Sequence, residues 1–438
     1  MRKVISPCIP RHHHPQSFPI DDAIGHGCSR RCFESYTLAN NMGTIRDTGV
    51  ILQGDSLSGL SILLGVSGGI AAVESVKVAR ELRRHGAKVV ALMSHSSQKI
   101  ITPLALSWAS ASEVITDWEG EMRQLDDVDA VLVCPTTRHH MASVVQGMMD
   151  TPLLMALSAA RGRKIPIMMV PSMHDDLAKD PITVDIESEL ENYGMNLHWG
   201  PIIEGKRKQD NPISLVAAFC HFINKEKENR KSIVITLGAT RSPIDDIRYV
   251  QNTSSGATGW AIAEDLHRHG HDVTIVAGTT TVQAAFSLPL VIQADEPDAM
   301  LKECIALSND DIRAWVHCAA VLDYLVDEPK LGKFASQQGD WNVTLKEGSK
   351  HIMELQELCK DSVRIGFKLE AGVKISDLVH RALAQIKNSG MTAVIANRLE
   401  DISNPDKPRA HLIDSLGEHW ALQDNAAIAK AIRTLVER

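Results

Sequence analysis

Short apolar runs alternate with amphipathic, helix-spaced segments along most of this chain. In the first half the runs predict four strands: Ile62–Val66, Lys88–Met93, Val128–Cys134 and Ile165–Val170. Between the first two, Val76, Ala79 and Leu82 recur at core spacing and predict a helix over Ala71–His85 that ends at Gly86. Strands that alternate with helices predict a parallel sheet with right-handed crossovers.

The same alternation starts again after residue 231. Its runs predict strands Ile233–Leu237, Asp272–Ala277, Ala314–Ala319, Ser362–Phe367, Thr392–Ala396 and His411–Asp414, with a closing helix Asn425–Val436. The charged run Lys225–Lys231 follows an apolar helix, Leu215–Ile223, and serves either as a linker or as a solvated extension of that helix. The fold class is therefore α/β, with two Rossmann-like parallel-sheet domains over 60–224 and 232–438 and a linker over 225–231.

Residues 1–59 are polar and aperiodic, which predicts a flexible extension. A metal site is the alternative, built from the histidines His12–His14 with Cys8, Cys28 and Cys32. A Cys-x3-Cys pair without a second matching pair is a weak zinc signal. Met42 would also serve as a start.

Composition narrows the function classes. The chain has 438 residues, of which 44% are hydrophobic, enough for two full α/β cores. Its net charge of −8 argues against a general nucleic-acid binder. The apolar runs fall short of the roughly 20 residues of a membrane helix, and no secretory signal pattern is evident. The 8 cysteines show no disulfide framework, so a reducing cytoplasm is expected.

Two strand-to-helix turns carry candidate anion sites. In the second half, strand Ile233–Leu237 ends at Gly238-Ala239-Thr240, and the polar loop Asn252–Gly256 opens a helix. Backbone N–H groups and the positive end of the helix dipole favour a phosphate at such a turn. In the first half, Leu64–Ala72 runs through Ser67, Gly68 and Gly69 into a helix. This second turn taken alone is equally typical of a structural turn.

Four segments of the first half resemble, in order and spacing, the FMN-binding flavoprotein family of cysteine decarboxylases. They are Gly65–Ala72 (GVSGGIAA), Ile101–Leu104 (ITPL), Val133–Thr137 (VCPTT) and Pro171–His174 (PSMH). The resemblance implies a flavodoxin-like fold and FMN contacts from Ser67, Gly68, Gly69, Ile70, Ser94, Pro135, Thr136 and Thr137. It also implies a catalytic role for His174, which stands where the family usually has asparagine.

Two catalytic groups of that family have no counterpart here. In the family, FMN oxidises the thiol side chain of the substrate, carbon dioxide leaves, a cysteine helps to return the hydride and a histidine assists. The window Ser112–Asp129 contains no histidine, and Glu121 or Met122 takes its place. The segment Gly200–Pro212 contains no cysteine. His139 and His140 are within reach of the same pocket, although histidines there more often pack or face solvent.

Almost the whole second half resembles phosphopantothenate–cysteine ligases. The matching segments, in the family's order, are Gly238–Gly259, Cys318–Tyr324 (CAAVLDY), Lys330–Lys333 (KLGK), Gly366–Glu370 and Ile395–Asn397. In this family a nucleoside triphosphate, commonly CTP, activates a carboxylate as an acyl-nucleotide and releases pyrophosphate, and the amine of cysteine then attacks. The sequence alone does not exclude ATP.

The ligase resemblance assigns roles to individual residues. Asp323 is expected to hold Mg²⁺, Lys330 or Lys333 to stabilise the pentavalent phosphate, and Asn252 to orient the activated carbonyl. The expected nucleotide contacts are Gly238, Ala239, Ser254, Ser255, Gly256, Phe367, Lys368 and Lys387. Two departures stand out: Ala257 replaces the lysine usual after Ser-Ser-Gly, and Ser389 replaces the second lysine of a pair that begins with Lys387.

The tandem order, flavoprotein first and ligase second, is that of bifunctional coenzyme A biosynthesis proteins. We therefore expect an enzyme that joins cysteine to 4′-phosphopantothenate and then decarboxylates the product to 4′-phosphopantetheine. The alternatives are a ligase alone, with a non-catalytic flavin-binding or scaffold N-terminal domain, and a catalytically silent FMN-binding or oligomeric protein. The expected partners are small-molecule substrates and further copies of the chain, with no nucleic acid and no membrane.

Overall fold

Two parallel sheets follow each other along the chain, and each is covered by helices. The computed structural model describes residues 47–336 and 339–438. The hypothetical metal site at His12–His14, Cys8, Cys28 and Cys32 lies outside the described residues. None of the helices in the described residues is long and apolar enough to cross a membrane.

The described part of the first half contains eight strands and seven α-helices. In chain order they are β1 (Ser61–Val66), α1 (Ser75–Arg84), β2 (Lys88–Met93), α2 (Pro103–Ser110), β3 (Ala130–Thr136), α3 (Arg138–Val145), α4 (Pro152–Gly162), β4 (Ile167–Pro171), β5 (Met173–His174), α5 (Asp175–Ala178), α6 (Pro181–Asn192), β6 (Asn196–Leu197), β7 (Ile202–Ile203), β8 (Lys206–Arg207) and α7 (Pro212–Asn224). The main sheet has the order β2-β1-β3-β4-β6 with all pairs parallel. The short strands β5, β8 and β7 form a separate antiparallel sheet.

The predicted helix Ala71–His85 begins differently. A 3₁₀ turn over Ile70–Glu74 comes first, and the α-helix starts only at Ser75. The Ser75 hydroxyl donates to the Cys134 carbonyl oxygen at 2.9 Å, which fixes the helix start against β3. Hydrophobic periodicity alone does not separate the two kinds of turn.

In the second half, the residues that the structure describes form twelve strands and five α-helices. They are β9 (Ser232–Leu237), β10 (Arg241–Pro243), β11 (Tyr249–Gln251), α8 (Ala257–Arg268), β12 (Asp272–Ala277), β13 (Leu290–Gln293), α9 (Pro297–Leu307), β14 (Ile312–His317), β15 (Tyr324–Val326), β16 (Leu345–Glu347), α10 (His351–Glu354), β17 (Val363–Glu370), α11 (Ile375–Ser389), β18 (Ala393–Arg398), β19 (Ala410–Asp414), β20 (His419–Leu422) and α12 (Asn425–Val436). The main sheet has the order β13-β12-β9-β14-β17-β18-β19-β20.

This second sheet is not purely parallel. The six neighbouring strands β13, β12, β9, β14, β17 and β18 pair in parallel, whereas β19 pairs antiparallel with both β18 and β20. An antiparallel edge on a parallel sheet is common in α/β folds. The α/β class with Rossmann-like sheets is confirmed, and the antiparallel edge is an addition to it.

Helix α7 packs against both halves of the chain. Its residues Leu215, Val216 and Phe219 are buried in the core around β1 and α1. On another side, Ala217 is buried in the core around β9 and α8. The seven residues that follow α7 lead directly into β9.

Residues 47–59, which the sequence assigned to a flexible extension, are packed. The Asp47 carboxylate lies 2.6 Å from Arg80, and Leu57 is fully buried. Asp55 accepts from Arg433 at 2.6 Å and from Lys430 at 2.9 Å, both on the last helix. Burial alone would raise the pKa of Asp55, but these two cations and His269 lower it to about 2. Hydrophobic patterning did not predict the packing of residues 47–59, because this segment is held chiefly by backbone hydrogen bonds and ion pairs.

Candidate active sites

The predicted flavin site begins at the carboxyl end of β1. Ser67 is buried, and its hydroxyl donates to the Pro135 carbonyl oxygen at 2.9 Å and accepts from the Thr137 N–H at 2.9 Å. The side chain thus joins the turn after β1 to the turn after β3. The hydroxyl predicted to contact a phosphate is already used within the protein, so a phosphate would have to be held by the backbone.

Glycines bring two turns close together at this edge. A Cβ at Gly68 would lie 2.3 Å from the Cβ of Ser96, so no larger residue fits without displacement. Gly69 precedes the 3₁₀ turn that begins at Ile70, and Ile70 is 78% exposed. Ser94 accepts from the Ser97 N–H at 3.2 Å. The structure therefore brings the predicted flavin contacts of the first two strands to one place.

The turn after β3 divides the remaining predicted contacts. Thr136 is fully buried and donates to the Val133 carbonyl oxygen at 2.8 Å, so its side chain is not available to a ligand. Thr137 is partly exposed and is the N-cap residue of α3. The carbonyl oxygen of Pro135 accepts the hydrogen bond from the Ser67 hydroxyl. A flavin contact from the Thr136 side chain is thus not supported, because the strand continues two residues further than expected, and a contact from its backbone stays a prediction.

His174 is exposed and lies in β5, where it pairs with Lys206 of β8. The segment Gly200–Pro212, which contains no cysteine, thus pairs with the strand of the predicted catalytic histidine. Nearby, Asp175 lies 2.5 Å from Lys179, and Arg207 lies over the Trp199 ring. His174 is therefore held at the surface just beyond the carboxyl end of β4, on the same edge of the main sheet as the predicted flavin site.

The two other histidines near this site have different surroundings. His139 is exposed, whereas His140 is buried and its Nε2 atom has no hydrogen-bond partner among the described residues. Burial, assisted by His139, lowers the pKa of His140 to about 4 despite the opposing charge of Asp150. His140 is therefore neutral near pH 7, and packing accounts for its position.

The second site is a cavity of about 650 Å³ at the carboxyl ends of β14, β17 and β18. It is lined by the loop before α8, by the segment after β14 and by the end of β17. Of the predicted site residues, the cavity is lined by Asn252, Ser254, Ser255, Gly256, Asp323, Phe367 and Lys368. Gly238, Ala239, Lys330, Lys333 and Lys387 do not line it.

Asn252 is held by two backbone acceptors. Its Nδ2 atom donates to the carbonyl oxygens of Ala320 at 3.1 Å and Val321 at 3.2 Å. Both amide hydrogens are therefore engaged, and the Oδ1 atom remains to accept from a ligand. The expected role of Asn252, to orient the activated carbonyl, stays a prediction.

Gly256 is the N-cap residue of α8 and has φ of +79°, a left-handed conformation that favours glycine. A Cβ there would lie 2.5 Å from Thr280 Cγ2. Ser254 and Ser255 precede it in the same loop, so their backbone and hydroxyl groups lie at the positive end of the helix. This geometry suits phosphate oxygens.

Gly238 and Ala239 have a structural role instead. Ala239 is fully buried, and its N–H donates to the Thr279 carbonyl oxygen at 2.9 Å while Thr279 N–H donates back at 2.8 Å. Gly238 has φ of +81° and lies against the same Thr279 oxygen. These residues hold the turns after β9 and β12 together, so direct nucleotide contact is not supported for them.

Asp323 is exposed, lines the cavity and precedes β15. Its position excludes the simpler interpretation that it is a helix N-cap. Its backbone carbonyl accepts from the Gly348 N–H at 2.9 Å, which fixes the segment. Its carboxylate has no hydrogen bond or ion pair with the residues that the structure describes, so it is available to a ligand of the cavity.

The lysine loop lies outside the large cavity. Lys330 Nζ lies 4.6 Å from the centre of the Phe334 ring and lines a separate cavity of about 160 Å³. Lys333 is exposed. The loop is fixed by Asp245, which accepts from the Phe334 N–H at 3.1 Å and is paired with Arg248. The sequence motif located the loop along the chain, but it did not predict the directions of the lysine side chains.

The two remaining lysines differ. Lys368 lines the cavity beside the half-buried Phe367, and its Nζ lies 3.3 Å from Glu370. Lys387 is exposed on α11 and lies outside the cavity, whereas Gln385 of the same helix lines it. The helix turns Lys387 away because it lies two positions beyond Gln385, about 200° around the axis.

Sequence reasoning missed several lining residues. They are His317, Lys350, His351, Gln385 and Arg409. His317 ends β14 directly before the Cys318–Tyr324 motif, and a polar residue at the carboxyl end of an apolar strand was the available signal. His351 had no such signal, because it begins a helix after an irregular segment.

Comparison with known proteins follows the same division of the chain. The family model described as Flavoprotein matches residues 52–224, and the model described as DNA/pantothenate metabolism flavoprotein C-terminal domain matches residues 228–438. The Coenzyme A biosynthesis bifunctional protein CoaBC of Thermococcus kodakarensis is 33% identical over 353 residues, which cover 78% of this chain and 86% of that protein. The chain belongs to this family.

Two further proteins are similar to this chain. The CoaBC protein of Escherichia coli K12 is 32% identical over 311 residues, covering 66% of this chain and 74% of that protein. A solved DNA/pantothenate metabolism flavoprotein from Streptococcus pneumoniae is 24% identical with a TM-score of 0.43, covering 47% of this chain and 98% of that one. As a member of the family, the chain is a bifunctional enzyme of coenzyme A biosynthesis that acts on small molecules. Its N-terminal half is the flavoprotein domain of this family, and its C-terminal half is the DNA/pantothenate metabolism flavoprotein C-terminal domain.

Proposed function

We propose that the 650 Å³ cavity is where 4′-phosphopantothenate is activated by CTP and joined to cysteine. The carrying observation is that one cavity is lined by a glycine-capped helix start, by a carboxylate without an ion pair among the described residues and by an aromatic ring. These are Gly256 at α8, Asp323 and Phe367. Phe367 would pack near the base, Ser254 and Ser255 would contact phosphates, and Asp323 would hold Mg²⁺ against them.

Within this proposal Asn252 contacts the attacking amine. Its Nδ2 is engaged by Ala320 and Val321, so its Oδ1 can accept from an N–H of cysteine. An acceptor there would hold the amine lone pair toward the activated carbonyl, which aligns the reacting atoms. Lys368 lies at the same cavity and supplies positive charge toward the phosphates.

The lysine loop would have to move for a lysine to stabilise the reacting phosphate. Lys330 is held by an aromatic contact, whereas Lys333 is exposed one residue after Gly332, whose φ is +76°. Lys333 is therefore the better candidate for the phosphate contact. Loop closure of this kind is common in enzymes that exclude water during group transfer.

For the first half we propose FMN as the flavin, with its phosphate at the backbone of Gly68–Ile70 and beside Thr137. The residues present fit a phosphate because the turn is glycine-rich, tightly packed against Ser96 and open at Ile70. The bound flavin would supply the oxidation that makes loss of carbon dioxide possible. His174, exposed at the same sheet edge, would contact the substrate.

A ligase with a non-catalytic flavin domain is the second candidate. It is favoured by one observation: where the family's histidine is expected, Met122 is 38% exposed and the neighbouring Gln124 is buried against Met122 and Met155. Neither side chain transfers protons near pH 7, and the exposed carboxylate of Glu121, the other residue at this place, is the group that would have to do so.

One assay separates the two candidates. Purified protein with FMN, 4′-phosphopantothenate, cysteine, Mg²⁺ and either CTP or ATP is followed for pyrophosphate and carbon dioxide together. Both products would support the bifunctional enzyme, and pyrophosphate alone would support the second candidate. If neither product forms with either nucleotide, the proposed function is wrong.

We further propose that 60–224 and 232–438 act as the two domains, joined by 225–231, in a homo-oligomer of the cytoplasm. The domain boundaries are supported by the end of α7 at Asn224 and the start of β9 at Ser232. Cys134, Cys220 and Cys304 are buried and unpaired, which fits a reducing compartment. Light scattering on the purified chain measures the oligomeric state, and a monomeric mass would contradict that part.

A further inference from the structure

The lysine loop, residues 330–334, is held firmly at its last residue. The Phe334 N–H donates to the Asp245 carboxylate at 3.1 Å. The Arg248 guanidinium donates to the Phe334 carbonyl oxygen at 3.5 Å. Lys333 directly precedes Phe334 in the chain, so its backbone cannot move far unless Phe334 moves with it.

The ring of Phe334 is held as well. It stacks on the ring of Trp341, with centroids 4.2 Å apart and planes 16° apart. The Arg248 guanidinium lies 5.2 Å from the centre of the Trp341 ring, and Lys330 Nζ lies 4.6 Å from the centre of the Phe334 ring. Aromatic pairs and cation–π contacts are attractive beyond the area that they bury. Phe334, Trp341 and Arg248 together form a latch on the lysine loop.

The latch lies outside the hydrophobic cores. Both rings are partly exposed, and neither belongs to the core clusters formed by the described residues of the second half. The cavity of about 160 Å³, lined by Val326, Lys330 and Trp341 among others, lies beside them. The two rings can therefore separate without disrupting a core, as expected of a contact that opens in the native protein.

The latch is connected along the chain to the ligase cavity. Asp323 lines that cavity and directly precedes β15, and Val326 at the end of β15 lines the small cavity beside Trp341. The lysine loop follows this strand. A released loop would therefore stay tethered to the strand that begins at the candidate Mg²⁺ ligand.

We propose that Trp341 controls the access of Lys333 to the nucleotide. Its stack on Phe334 holds the lysine loop in a docked position, and the nucleotide binds more tightly when the loop is released. A contact made only in the docked state lowers the apparent affinity for a ligand that prefers the released state. The inference rests on the proposed ligation and adds which contact must break before the lysine reaches the phosphate. Trp341 acts through Phe334 and is therefore a positioning residue.

The first test measures CTP binding by calorimetry, with Mg²⁺, in the wild type and in Trp341→Leu. Leucine removes the aromatic face, so the docked loop is less populated and CTP should bind about three- to tenfold more tightly. Trp341→Phe keeps an aromatic face and should bind CTP within about twofold of the wild type. Trp420→Leu, at a tryptophan of the edge strand β20 that is 46% exposed and outside the cavity, is the matched control.

The sign of the change separates the latch from a merely structural role. A residue needed only for the local fold would weaken CTP binding when it is removed, whereas the latch predicts tighter binding. Single-turnover pyrophosphate release by Trp341→Leu should be at least as fast as in the wild type, because the released loop is the reacting form. A slower single turnover would contradict the latch.

Trypsin measures release of the loop without any substrate. It cleaves after lysine, and Lys333 is exposed. Cleavage after Lys333, located by mass spectrometry, should be about threefold or more faster in Trp341→Leu than in the wild type, because cleavage follows the population of the released loop. Trp420→Leu should be cleaved there at the wild-type rate.

Phe334→Leu is the second variant. It removes the other ring, so CTP should again bind more tightly than to the wild type. The double variant with Trp341→Leu should bind CTP within about twofold of either single variant, because the two changes remove the same contact. Additive effects would show that the rings act independently and would contradict the latch. Urea denaturation identifies a variant that does not fold, in which case the other single variant decides.

The remaining outcomes are equally definite. Unchanged or weaker CTP binding by the folded leucine variants contradicts the latch, and so does an unchanged rate of trypsin cleavage. A wild-type protein that binds CTP but releases no pyrophosphate contradicts the proposed ligation, whereas the binding and trypsin measurements still decide the latch. A wild-type protein that binds neither CTP nor ATP contradicts both.

Discussion

Asp323 is the residue on which the metal proposal depends. Asp323→Asn keeps the size of the side chain but removes the charge that would hold Mg²⁺, so we expect pyrophosphate release to fall by at least about a hundredfold. The loss should be partly offset by raising the Mg²⁺ concentration. Asp327→Asn is the control, because Asp327 is paired with Lys346 at 3.3 Å and lies outside the large cavity. Equal activity of the two variants would contradict the assignment.

Arg364 is the buried charge that supports this wall of the cavity. Its guanidinium joins the end of α11 at Ser389 to α10 at Ile352. Arg364→Met would leave both carbonyl oxygens without that donor, and we expect the free energy of unfolding to fall by about 3 kcal/mol. Urea denaturation measures the change. Arg381→Met, at a half-exposed ion pair with Glu370, should cost less than about 1 kcal/mol. A similar small loss for Arg364→Met would refute the supporting role.

The sequence predicted the identity of the site residues better than their directions. Asn252, Asp323 and Phe367 line one cavity as the motifs implied. Thr136 and Lys387 belong to the same kinds of motif, but the first is buried in its strand and the second lies on the outer face of its helix. A motif fixes position along the chain, whereas side-chain direction depends on where a strand ends and how a helix is rotated.

At the scale of elements, the lysine loop gives the next prediction. Lys333→Gln should slow pyrophosphate release by at least about tenfold, since its exposed ammonium is free to reach a phosphate when the loop closes. Lys330→Gln should have a smaller effect on turnover, because Lys330 lies against Phe334. Single-turnover measurements separate this effect from substrate binding. The opposite order would show that Lys330 leaves its aromatic contact, and no effect of either would contradict the loop assignment.

Edge strands mark the limit of sequence prediction for the elements. The central strands β9, β12 and β14 are buried runs, and the apolar pattern predicted each of them. Strands β13 and β20 were missed: Leu290 is 47% exposed and Trp420 is 46% exposed. An edge strand covered on few sides needs no apolar run, so its pairing is decided by the neighbouring strand rather than by its own composition.

At the scale of the whole molecule, helix α7 joins the two halves through more than apolar packing. Asn224 at its end donates to the Ser56 carbonyl oxygen at 3.0 Å and to the Arg268 carbonyl oxygen at 2.8 Å. A Cβ at Gly270 would lie 2.3 Å from the Asn224 backbone. The contact is therefore close and polar on both sides, which ties the stability of the ligase half to that of the flavoprotein half.

A histidine pair makes this contact sensitive to acid. His221 of α7 stacks on His267 of α8, with ring centroids 4.2 Å apart and planes 5° apart. Burial first, and then the charges of His221 and Arg268, lower the pKa of His267 from 6.5 to about 3. The unfolded chain therefore binds this proton more tightly than the folded one. Stability is highest above the ordinary value and falls as pH decreases from about 6.5 toward 3, with a cost of about 2 kcal/mol at pH 5.

The variant His267→Phe tests this coupling, because phenylalanine keeps the stacking on His221 but cannot take up the proton. We expect the loss of unfolding free energy between pH 7 and pH 5, measured in urea, to be about 2 kcal/mol smaller than in the wild type. Other buried histidines, such as His140 with a pKa of about 4, leave a residual dependence in both proteins. The control His380→Phe, at an exposed histidine, should lose as much unfolding free energy between pH 7 and pH 5 as the wild type. If His267→Phe loses as much unfolding free energy as the wild type, protonation at another site destabilises the protein, and the contact between the halves does not limit its stability at low pH.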